Sequence, residues 1–225
     1  VTFFQNPVSL KQVSFCTHGM KKEEWIRHIQ GRVPDTAVDY CFSLWAARPF
    51  HFVISRSRSS KLGDFRYRRD QPLQKITINH DLNPYQFLIT YIHEVAHHRV
   101  YAAHSLRCMP HGPEWKRTFQ ELMFPMIDDK TVFPLDILIP LRRHMLNPKA
   151  SSGADLFLMK ELRKYDTQDP DRLKILLSDV KLGEKFELKQ RLFQKLESRR
   201  TRVLCMEVAT GKRYLISSHA AVTNK

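Results

Sequence analysis

The chain has 225 residues, 42% hydrophobic and 27% charged, which is long enough to bury a core without staples. Lys and Arg number 37 against 23 Asp and Glu, a formal charge of +14, and 11% aromatics with only 7 glycines argue against intrinsic disorder. No run approaches the ~18 to 20 apolar residues of a membrane helix, no secretory leader opens the sequence, and Cys16, Cys41, Cys108 and Cys205 form no C-x-x-C; a cytoplasmic protein without a disulfide framework is the expectation.

Residues 1–19 have no clear pattern and are expected to form a peripheral extension. A helix is predicted from Met20 through KKEEWIRHIQ, stopped by Gly31 and Pro34. Asp35 is placed to cap a second helix, TAVDYCFSLWAA. FHFVISR alternates as a strand should, SRSSKLGD breaks the pattern, and DFRYR and KITIN follow as two more strands. Three short strands at this spacing suggest a small, largely antiparallel sheet. Asn83 and Pro84 then open the strongest helix, running to about Ala103, with Phe87, Leu88, Tyr91, Ile92, Val95 and Ala96 at helical spacing.

After the loop SLRCMPHG, Pro113 opens another helix, whose buried stripe is Trp115, Phe119, Leu122 and Met126. Four prolines between residues 124 and 150 read as an irregular wrap. SGADLFLMKELRKYD is predicted to be helical. KFELKQRLF, TRVLCMEV and KRYLIS complete a three-stranded C-terminal module. The expected organisation is an extension (1–19), a main domain (20–147), a helical connector (148–183) and a small basic β-module (184–225), in an α+β protein.

The positive charge is not uniform. Residues 51–75 carry seven basic and two acidic groups, and residues 181–225 carry eleven and four. Basic stretches interleaved with aromatics suit a polyanion. The candidate DNA contacts are Arg56, Arg58, Lys61, Arg66, Arg68 and Arg69 in the first stretch, and Arg199, Arg200, Arg202, Lys212 and Arg213 in the second. The plainer reading is two solvated basic surfaces.

His93, Glu94 and His97 spell H-E-x-x-H inside the strongest helix. Residues i and i+4 share a helix face, so both imidazoles can reach one ion. Glu94 lies about 100° round the helix from His93 and can work beside that ion as general acid/base. A third ligand is needed. The third-histidine continuation fails, because Val100 and Ala103 occupy its Gly and His places. Glu114 or Glu121 on the next helix would serve, but His111 is the better candidate, on a loop able to fold back. Cys108 lies near it and is the weaker choice. His98, Tyr101 and His104 are candidates for a further catalytic donor; His80 and His144 are weaker ones.

HEVAHH followed by HGPEW resembles the SprT-like metallopeptidases, a family that includes proteases of DNA–protein crosslinks. KLGDFR and the ITIN…LNPY run share the resemblance over at least residues 50–126, and FPLDILIPL and NPKASS resemble a bacterial subgroup. The resemblance implies a zincin-like domain with one Zn2+ held by His93, His97 and His111, Glu94 as general acid/base, and protein substrates. Several relatives carry a cysteine zinc ribbon after this domain; Cys205 stands there without a partner, so a metal-free sheet is expected. The competing reading is a zinc-containing nucleic-acid-binding or regulatory protein without proteolytic activity.

Overall fold

The computed structural model describes residues 21–58, 61–104, 108–150, 155–166 and 175–224. The expected extension at 1–19 therefore lies outside the described residues. The chain is α+β and divides into two compact units, Val1–Tyr165 and Asp166–Lys225. This single division differs from the expected boundaries at 147 and 183. No described helix is long and apolar enough to cross a membrane.

In the first unit, α1 (Lys22–Ile29), a 3-10 turn (Asp35–Ala37) and α2 (Val38–Ala47) precede β1 (His51–Ser55), β2 (Gly63–Arg66) and β3 (Lys75–Asn79). Then come α3 (Pro84–His104), α4 (Pro113–Asp128), α5 (Leu135–Met145) and α6 (Leu156–Arg163). The strands lie in the order β1-β3-β2. β2 is antiparallel to β3, but β1 is parallel to it, so this sheet is mixed rather than largely antiparallel. β3 lies between β1 and β2, so the two strands that flank it are not each other's neighbours.

Asn79, 1% exposed at the end of β3, bonds to Arg58 and Lys61. Its amide donates to the carbonyls of Arg58 (3.1 Å) and Lys61 (2.9 Å), and its Oδ1 accepts from Arg58 Nε at 2.8 Å. A buried side chain satisfying two backbone carbonyls makes contacts that periodicity cannot reveal.

α3 packs against β2, β3, α2 and α4. Asn83 caps it, its Oδ1 accepting from Gln86 N at 3.0 Å. An aromatic cluster of Trp25, Phe50, Phe52 and Tyr91 fills the space between helices and sheet, and the Tyr91 hydroxyl donates to the Cys41 carbonyl at 2.8 Å. Helices replace the expected irregular wrap. Pro125 sits in α4 and Pro140 in α5. An interior proline costs ~3 kcal/mol, but α5 buries Ile137, Leu138, Leu141, His144 and Met145 on one face, which offsets it. In α6, Leu158 and Leu162 are fully buried in the same core, and Asn83 Nδ2 donates to the Leu162 carbonyl at 2.9 Å.

The second unit is a six-stranded sheet in the order β4-β9-β5-β6-β7-β8. Its strands are β4 (Ile175–Leu176), β5 (Lys185–Leu188), β6 (Arg191–Ser198), β7 (Arg202–Glu207), β8 (Arg213–Ser217) and β9 (Ala221–Asn224). The expected single strand KFELKQRLF is two strands. Lys189 (φ 52°) and Gln190 (φ 62°) form a two-residue hairpin turn between them.

Candidate metal centre

His93 and His97 are placed by α3, one turn apart. His111 arrives from the loop before α4. The Gly112 N–H donates to the Met109 carbonyl at 2.9 Å, closing a turn with Pro110 second and His111 third. His111 is in the left-handed region (φ 58°), which that turn position demands and which a non-glycine residue adopts at a cost. The tightness extends to Gly112, where a Cβ would lie 3.0 Å from the Met109 oxygen. Pro113 then starts α4.

The three imidazoles converge. Their Nε2 atoms are 3.2 Å (His93–His97), 2.9 Å (His97–His111) and 3.2 Å (His93–His111) apart. Each Nε2 of a neutral imidazole is either a donor or an acceptor, so at least two of the three share a role and hydrogen bonding alone does not account for the triangle. A shared ion does: nitrogens bound at ~2.0–2.1 Å with tetrahedral angles lie about 3.3 Å apart. Among the described residues these three are the group able to hold a metal ion. Burial lowers the pKa of all three, His93 well below its ordinary value and His97 to about 4. They are neutral bases with free lone pairs, the form that ligates.

Trp115, 1% exposed, is the floor under the rings. Its ring lies 4.6 Å from His93, 5.3 Å from His97 and 4.7 Å from His111, with Phe119 stacked behind it at 5.0 Å. Its indole N–H donates to the His93 carbonyl at 3.4 Å.

Glu94 is 6% exposed and sits between α3 and the edge strand β2. Burial pushes its carboxyl up to about 8, against the pull of the Phe65 backbone N–H. β2 comes this close because residue 63 is glycine. The three histidines and Glu94 line one cleft of about 480 Å³, together with Lys61, Asp64, Phe65, Tyr67, Tyr101 and Met109.

Residues 33–135, which carry this whole constellation, match the SprT-like family model. Over that stretch the chain is similar to the SprT-like family. Comparison with curated proteins and with solved structures gave no match. The matched stretch spans α2 to α4 with all three β-strands of the first unit, and so includes the three histidines and Glu94.

The other candidates fall elsewhere. Glu114 and Glu121 are exposed on α4. Cys108 lines the cleft but is not among the residues grouped as metal-capable. His98 is buried edge-on to Phe50 at 5.4 Å, a core residue. His104 is exposed at the end of α3, the His80 carbonyl accepts from Arg32, and His144 Nδ1 lies 3.2 Å from Asp155 Oδ2. Only Tyr101 of the proposed further donors reaches the cleft.

In the first unit several of the candidate basic residues have partners. Arg58 bonds to Asn79, Lys61 and Arg66 flank Asp64, and Arg68 pairs with Asp70, while Arg56 and Arg69 are exposed. In the second unit, Arg199, Arg200 and Arg202 lie at one end of β7 and Lys212 and Arg213 at the other, ~17 Å apart along the strand. Gly63, Trp115 and Asn79 carry roles the sequence reading did not assign. The available signal was Gly63 itself, at the start of β2, since a glycine there permits close backbone approach.

Proposed function

We propose that the chain is a zincin-like, zinc-dependent endopeptidase. The observation that carries this reading is the triangle of three neutral Nε2 atoms in one cleft with a buried carboxyl. His93, His97 and His111 would hold the ion. When bound, Zn2+ supplies Lewis acidity, polarising a carbonyl and lowering the pKa of coordinated water toward ~7. Glu94 takes the proton from the attacking water and passes it to the leaving amine.

β2 is the edge of its sheet among the described residues, beside Glu94. An extended substrate can pair with that edge through backbone hydrogen bonds, which any sequence provides. Protein already on DNA is the proposed substrate class. It is supported by the family and by the exposed basic residues Arg56, Arg69, Arg199, Arg200, Arg202, Lys212 and Arg213.

The experiment is Glu94→Gln on zinc-loaded protein, assayed on an unfolded protein with and without DNA. Zinc content should stay and cleavage should be lost. Unchanged cleavage rejects Glu94 as the base. DNA affinity that does not fall with rising salt rejects the DNA-linked substrate class.

A further inference from the structure

One wall of the cleft is aromatic. Tyr67, just past the end of β2, and Tyr101, on α3, have ring centroids 4.3 Å apart with planes at 35°. Both rings line the cleft, so their surfaces form this wall. Phe65 continues it, 5.9 Å from Tyr101. Met109 also lines the cleft, with 77% of its surface exposed. Half-buried aromatics and an exposed flexible thioether lining one cleft leave apolar surface in water, a cost that a bound apolar group removes.

The position fixes what that group belongs to. Tyr101 is four residues beyond His97, one turn or ~6 Å along the axis, and seven beyond Glu94, which returns it to nearly the same face. An extended peptide advances ~3.4 Å per residue. A wall one helical turn from the ligand histidines therefore meets a side chain within about two residues of the bond being cut.

We propose that Tyr67 and Tyr101 form a subsite for an aromatic or large apolar side chain of the substrate, adjacent to the scissile bond. This rests on the peptidase reading. It makes the enzyme selective by sequence as well as by location. The two tyrosines are specificity residues and take no part in proton transfer.

The test uses the full chain, zinc-loaded, carrying Glu94→Gln. Two fluorescein-labelled Gly/Ser octapeptides, differing only in a central Phe or Ala, are compared by anisotropy. The Phe peptide should bind about tenfold tighter. Tyr67→Ala and Tyr101→Ala, each checked for retained zinc, should bring the ratio close to one, and the Phe variants at both positions should preserve it. A ratio near one in the parent protein, or one unaffected by both Ala substitutions, overturns the subsite. In parallel, cleavage sites of the protein with Glu94 intact are mapped on unfolded casein, where cuts should cluster beside aromatic and large apolar residues. Cuts without that preference overturn the subsite and leave the peptidase standing. Preferential binding without any cleavage contradicts the peptidase and leaves the subsite standing.

Discussion

A side chain at residue 63 would collide with Glu94: a Cβ built on Gly63 stands 2.6 Å from Glu94 Oε1 and 2.8 Å from its Cγ. The Thr90 methyl, one turn earlier on α3, is as close, at 2.7 Å. The glycine is what lets the edge strand and the proposed catalytic carboxyl share one wall of the cleft.

Gly63→Ala should therefore damage activity more than it damages the fold. Overpacking of this kind costs ~1–3 kcal/mol, measurable by chemical denaturation. Zinc content should be unchanged, because the three histidines lie off this contact. Turnover should fall at least tenfold, since moving a general base out of reach costs much of the ~10²–10⁴ it contributes. Retained turnover would show that Glu94 needs no such contact with β2.

Trp115→Ala should weaken both stability and metal binding. Removing a fully buried aromatic costs ~3–5 kcal/mol, and the three imidazoles would lose the surface that orients them. A zinc affinity lower by about 10–100-fold is expected, as for other losses of ligand support. Trp115→Phe should restore most of the affinity, because a ring remains beneath the histidines. Competition with a chelator of known affinity measures both.

The second unit should loosen in acid for an identifiable reason. Hydrogen bonds from Arg191 and from Thr210 lower the pKa of Glu207 to about 2. A depressed carboxyl pKa stabilises the fold above the unfolded value of 4.5, and that contribution is lost as pH falls from there through about 2. Amide protection in β6 and β7, corrected for intrinsic exchange, should decline over that interval. Glu207→Gln should be less protected at neutral pH and much less sensitive to acid. Equal acid sensitivity in the variant would place the titration elsewhere.

What the sequence disclosed follows the range of its signals. α3 was legible because its cap, its proline start and its apolar spacing are local and agree, and the H-E-x-x-H pair needs only helical geometry. His111 was legible because its loop opens a helix whose start was visible. The parallel pairing of β1 with β3 was not, since the order β1-β3-β2 departs from the order along the chain. The prolines misled at α4 and α5, where burial of a whole helix face outweighs one missing hydrogen bond. The hairpin at Lys189–Gln190 was missed because neither residue is among those that favour a left-handed turn. Asn–Gly there would have announced it.

The proposed metal site needs His111 as its third ligand beside His93 and His97. Metal content of the purified protein beside His111→Ala measures it most directly. About one zinc per chain is expected in the parent protein and a large loss in the variant, with the fold retained by circular dichroism. Full zinc occupancy in His111→Ala, or a parent protein that binds no divalent ion under any loading condition, would contradict it.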